Sequence, residues 1–186
     1  MSPHPPAPPG LPRDPARLFL ALWPDAATRR AIEAWQQALR WPSNARLTAP
    51  AHLHLTLHFI GNVPRARLPA LHQGLARAFT PFELMLDDFT VWHHGIPVLQ
   101  PRGETPAALA ALHTALGDAL RALALPVEAR PLRPHVTLAR HGSGAALPAG
   151  TAPPPTVRWR ADDGYVLAES AGGYHVLQRF RAELAT

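Results

Sequence analysis

The chain has 186 residues, 47% of them hydrophobic, with no cysteine and a formal charge of +5. That length suits one domain with a sizeable core, and the missing thiols exclude disulfides, thiolate catalysis and Cys-ligated zinc or iron–sulfur sites. All 18 basic residues are Arg, a bias that GC-rich codons explain as readily as a polyanionic partner does. No signal-peptide pattern opens the chain, and no apolar run reaches the ~18 residues of a membrane span. A monomeric cytoplasmic protein without a membrane partner is expected.

Residues 1–16 carry seven prolines and little to bury, which predicts a disordered or polyproline II tail before a single domain at 17–186. Arg17 to Trp23 is an apolar run of strand type. Pro24 stops it, and Asp25 is placed to cap a helix reaching about Arg40, with Ile32, Trp35 and Leu39 inward. His52 to Gly61 alternates strictly, so Leu53, Leu55, Leu57 and Phe59 are expected in the core and His52, His54, Thr56 and His58 on the opposite face. Pro64 starts a second helix with Leu68, Leu71, Leu75 and Phe79 at helical spacing.

Phe82 to Phe89 reads as a strand, followed by a hairpin turning at Trp92-His93-His94-Gly95, with Pro97 arguing for an edge strand. Thr105-Pro106 opens a third helix, Thr as cap and Pro first, whose stripe is Leu109, Leu112, Leu116, Leu120 and Leu123. Pro126 ends it. Pro134-His135-Val136-Thr137-Leu138-Ala139-Arg140 is a second strand bearing His and Thr two apart. Residues 141–156 form a loop, and Val157–Ala168 and Tyr174–Phe180 read as strands joined across Gly172-Gly173.

His-x-Thr thus occurs twice, 81 residues apart, each copy after a helix. Two imidazoles facing one cleft suit an in-line phosphoryl displacement: one takes a proton from water while the other gives one to the departing oxygen. Thr hydroxyls two residues on can donate to the non-bridging oxygens. A strained cyclic phosphodiester suits such a site, which requires neither a metal nor another cofactor. The row His52, His54 and His58 also invites a metal reading, but three side chains spread along a strand do not converge, and no carboxylate is nearby. A single His-x-Thr is usually a surface feature; the duplication is what points to a site.

Arg17-Leu18-Phe19-Leu20-Ala21-Leu22-Trp23-Pro24, His54-Leu55-Thr56-Leu57-His58-Phe59-Ile60-Gly61 and Arg133-Pro134-His135-Val136-Thr137-Leu138-Ala139-Arg140 resemble the two-histidine (2H) phosphoesterases. Among these the chain is most similar to the RNA 2′,3′-cyclic phosphodiesterases, also called 2′-5′ RNA ligases, from about Arg17 to Phe180. The resemblance implies an α+β, bilobal fold: two antiparallel sheets with flanking helices, related by a pseudo-twofold, the motifs facing a central cleft. It implies His54 and His135 as catalytic residues and Thr56, Thr137 and Arg140 as phosphate contacts. The implied reaction opens an RNA 2′,3′-cyclic phosphate to a 2′-phosphomonoester, and the resemblance also implies the joining of tRNA halves by a 2′-5′ bond. Strand parity puts Arg140, five residues from His135, on the opposite face unless the strand ends or bulges there. Three alternatives stay open: 2′-5′ oligonucleotides as substrate, small nucleotide cyclic phosphates, or a non-catalytic module that binds RNA ends. Which histidine is the acid is not set by the motifs.

Overall fold

A computed structural model describes residues 14–181. In chain order it runs β1 (Ala16–Leu22), α1 (Ala26–Ala38), β2 (Arg46–Leu47), β3 (Leu55–Val63), α2 (Leu68–Gly74), β4 (Phe82–Leu86), β5 (Asp88–Trp92) and β6 (Ile96–Gln100). Then come α3 (Ala107–Ala122), β7 (Val136–Thr137), β8 (Ala139–Arg140), β9 (Val157–Ala161), β10 (Tyr165–Ser170) and β11 (Tyr174–Phe180). The ladders are β11-β10-β1-β3, β5-β6-β7, β4-β9 and β2-β8, every pairing antiparallel. This is an α+β fold, as the motifs imply.

Helix α1 starts where the sequence places it, because the Asp25 carboxylate accepts from the Thr28 N–H at 2.8 Å and satisfies a donor left orphaned at the first turn. Ile32 and Trp35 bury its inner face. That face lies against β9, whereas α3 lies against β3. Each helix therefore covers strands from a distant part of the chain, and one apolar cluster runs from Leu18 and Leu55 through Leu84 and Leu116 to Val136 and Trp159.

Several boundaries differ from expectation, each for a local reason. The first strand begins at Ala16, which is fully buried, and Asp14 accepts from the Arg65 N–H at 3.0 Å. The proposed tail otherwise lies outside the described residues. The long strand expected at Phe82–Phe89 breaks at Asp87 into β4 and β5, which belong to different ladders. Val157–Ala168 divides likewise into β9 and β10, at a turn where Gly164 has φ +95 and a Cβ would meet the Phe180 carbonyl oxygen at 1.9 Å. Strand β6 is central, not an edge. Pro97 is tolerated there because its carbonyl takes the Leu138 N–H at 2.9 Å just beyond the β7 pairing, so the missing donor falls where that ladder ends. Pro106, not Thr105, is the residue before α3, and no side chain caps it.

The largest departure concerns β3. Its partner β1 skips Leu57 between the pairs Ala21–Thr56 and Leu20–His58, and skips Ile60 between Phe19–Phe59 and Leu18–Gly61. Each β-bulge inserts one unpaired residue and inverts the phase of everything after it. His58 consequently turns into the core, where it is 4% exposed, while Phe59 turns outward at 38%. The expected row of His52, His54, Thr56 and His58 on one face does not exist.

Candidate active site

His54 sits immediately before β3 and His135 immediately before β7. Both rings are anchored in the same way. Nδ1 of His54 lies 2.6 Å from the His52 carbonyl oxygen, and Nδ1 of His135 lies 2.7 Å from that of Arg133. A carbonyl only accepts, so each Nδ1 carries the hydrogen and each Nε2 is left to hold or release a proton.

Aromatic side chains then fix each ring. Trp23 stacks on His54 at 5.2 Å and 12°, with Tyr174 edge-on at 5.0 Å and Phe19 at 5.0 Å. Trp92 lies 4.2 Å from His135, and the Arg133 guanidinium sits over the Trp92 ring at 4.6 Å. Burial among these groups pushes His54 down to about 4; its bond to the His52 carbonyl opposes this, and His135 and His52 add to it. Burial also lowers His135, against its bond to Arg133, with the Arg133 charge adding to the fall.

Thr56, opposite Ala21, and Thr137, opposite Val98, follow on the same faces as their histidines. His54, Thr56, Thr137 and Arg140 line one pocket of ≈ 490 Å³, with Tyr174 on its wall. Thr56 and His135 line a neighbouring pocket of ≈ 700 Å³ that also takes in Phe59, Trp92 and Arg133. Thr56 borders both, so the two pockets meet at this residue. Arg140 reaches the pocket because the strand is interrupted at Leu138: β7 pairs with β6, whereas β8 pairs with β2. Parity turns Arg140 away only if the strand continues, and here it ends after Thr137.

A buried amide holds that interruption. Gln36 of α1 donates from Nε2 to the Leu138 carbonyl at 2.8 Å and to the Thr48 carbonyl at 3.0 Å, and the Thr48 N–H also donates to Leu138. Tyr174, Trp92 and Gln36 belong to no repeated pattern and are given no site role by the sequence, and Trp23 enters there only as part of the first resembling stretch. Among the described residues no group of three or more His, Asp and Glu side chains has an arrangement suited to a metal ion.

The model of the 2′-5′ RNA ligase superfamily matches residues 23–173, a span containing both His-x-Thr motifs. The chain belongs to this superfamily. A superfamily relative from Escherichia coli (strain K12), named RNA 2′,3′-cyclic phosphodiesterase, is 33% identical over 147 residues, 78% of this chain and 81% of that one. One of the same name from Thermus thermophilus is 31% identical over 183 residues, 88% and 89% of the two chains. Among solved structures, a phosphoesterase superposes with TM-score 0.76 at 29% identity, covering 91% of this chain and all of that one. E. coli LigT complexed with 3′-AMP does so at 0.74 and 29%, covering 92% and 100%. The superfamily fold thus extends over nearly the whole chain, and no helix among its described residues is long and apolar enough to cross a membrane.

Proposed function

We propose that this protein hydrolyses RNA 2′,3′-cyclic phosphate ends to 2′-phosphomonoesters by a two-histidine, metal-independent mechanism. The observation that carries this reading is the matched anchoring of His54 and His135: both Nδ1 atoms are committed to a backbone carbonyl, leaving Nε2 of each unengaged, on two pockets that meet at Thr56. Neutral imidazole at one removes a proton from water as its oxygen bonds to phosphorus. Imidazolium at the other delivers a proton to the 3′ oxygen as the P–O3′ bond breaks. Thr56, Thr137 and Arg140 supply donors to the non-bridging oxygens, where charge accumulates in the transition state. The products are a 2′-phosphate and a 3′-hydroxyl, and both histidines end with exchanged protonation states, restored through solvent.

The ≈ 700 Å³ pocket, with the outward ring of Phe59 and the Trp92 and Leu132 side chains, offers an apolar seat for the base next to His135. With a 5′-hydroxyl in place of water as the nucleophile, the same displacement forms a P–O5′ bond as P–O3′ breaks and so gives a 2′-5′ linkage, the joining expected of tRNA halves. The relatives carry the phosphodiesterase name at 31–33% identity, which supports the substrate class. The test is product analysis by mass and ³¹P NMR after incubation with an oligonucleotide ending in a 2′,3′-cyclic phosphate. A 2′-phosphate is expected. A 3′-phosphate product, or binding without turnover, would overturn the reading in favour of different chemistry or a non-catalytic module.

A further inference from the structure

The ≈ 490 Å³ pocket is much larger than one phosphate group, and its outer part is built from residues the reaction does not use. His94 and His141 line it there, beside Arg140. Both have left-handed backbone, φ 62 and 55, a conformation uncommon outside glycine. Each is followed by a glycine, and the Gly142 N–H donates to the Gly95 carbonyl at 2.8 Å. A Cβ on Gly142 would meet the Pro97 ring at 2.2 Å, so the two turns are closely interlocked. Two turns from distant parts of the chain thereby present two imidazoles to one rim.

The adjoining strands add charge. Arg46 is the cross-strand partner of Arg140, which puts their Cβ atoms about 5 Å apart on one face. Both are exposed, and among the described residues neither has an ion-pair partner. Like charges directly opposite each other destabilise a ladder, and β2–β8 is only two residues deep. No carboxylate lines the pocket. Such a cost is offset when an anion occupies the site.

We infer that Arg46, His94 and His141 form a seat for a second phosphate, the internucleotide phosphate on the 5′ side of the terminal nucleotide. The inference rests on the hydrolase reading and deepens it: the preferred substrate is an RNA end with a phosphate upstream, not a free nucleoside cyclic phosphate. Imidazole N–H groups and the Arg46 guanidinium donate to that phosphate while Arg140 serves the scissile one.

The test compares adenosine 2′,3′-cyclic phosphate with the same nucleotide carrying a 5′-phosphate, and with the dinucleotide ApA 2′,3′-cyclic phosphate. Wild type is expected to show at least a roughly tenfold higher kcat/KM on the two substrates with the extra phosphate. Arg46→Ala should bring that ratio close to one, leave the simple cyclic nucleotide within about twofold of wild type, and reduce the salt dependence of the dinucleotide by about one phosphate contact. His94→Asn and His141→Asn, which keep a residue tolerant of left-handed backbone, should each lower the ratio several-fold. A wild-type ratio near one, or a ratio unmoved in all three variants, would overturn the seat. If wild type turns over none of the substrates, the hydrolase reading fails by itself. Calorimetry with 2′-AMP and adenosine 2′,5′-bisphosphate then decides the seat: tighter binding of the bisphosphate, lost in Arg46→Ala, supports it, and equal affinities overturn it.

Discussion

The ring of His58 lies on that of His113, 4.0 Å between centroids and 17° from parallel, and both side chains border the ≈ 700 Å³ pocket that His135 lines. A ring nitrogen of His58 also bonds the His113 carbonyl at 2.8 Å. His54 and His58 are close neighbours in the chain, yet His54 lines the smaller pocket while His58, 4% exposed, packs on His113 of α3 at the edge of the larger one. His58→Ala should therefore cost stability, about 2–3 kcal/mol for the lost packing and hydrogen bond. The protein that remains folded should retain turnover within several-fold. Denaturant titration and assays below the melting range check this; turnover lost without any stability change would instead put His58 in the reaction.

His54→Ala and His135→Ala should each lower turnover by roughly 10²–10⁴-fold, the usual range for a general acid or base. In the proposed mechanism the two proton transfers belong to one displacement, so the double variant should fall far short of the product of the two losses. Thermal melts should move little, both rings being only half-buried. Multiplicative losses would mean that the histidines act in separate steps.

The pH dependence has a sign in both activity and stability. In the free protein both groove imidazoles titrate below 6.5, so the bell in kcat/KM should be centred on the acid side of that value. Bound phosphate favours the charged imidazole, so the kcat bell should lie to higher pH than the kcat/KM bell. Both profiles coinciding at alkaline pH would contradict the assignment.

For folding, His54 and His113 fall from 6.5 to about 4, and His58 and His135 fall as well. Between those values the unfolded chain binds more protons than the folded one. Stability from these four groups is thus complete above about pH 6.5 and is lost as pH drops toward 4. Melting temperature measured from pH 8 to 4 should show that fall, and His113→Leu should flatten part of it.

Gly164→Ala should be severely destabilising, roughly 2–4 kcal/mol. The left-handed φ, and a Phe180 carbonyl oxygen only 1.9 Å from where the new Cβ would stand, leave no room for relaxation without opening the β10–β11 hairpin. A melt within a degree or two of wild type would show that the turn has another conformation available.

Much of this architecture is legible in the sequence. Asp25 capping α1, the leucine stripe of α3 and the hairpin at His93-His94 all follow from local rules, and the two His-x-Thr repeats name four of the residues that line the groove. What is hidden is whatever depends on a partner strand. Alternation from Leu53 to Phe59 predicts one phase, but bulges at Leu57 and Ile60 are set by pairing with β1 and reverse it. The Leu138 break that returns Arg140 to the pocket depends on β2, Thr48 and Gln36, which nothing around the motif reveals. Long strands likewise appear continuous until Asp87 and Gly164 hand the chain from one ladder to another.

Gln36 has one more consequence. Its buried amide joins the segment leading to the first motif with the carbonyl inside the second, while α1 and α3 each cover strands from the opposite half. A chain cut in the loop between Gln100 and Ala107 would give two pieces, each with one histidine motif and a helix whose apolar face has lost its cover. Neither fragment is expected to fold alone, but mixed together they should reassemble and recover turnover, as complementing halves of a single cooperative unit.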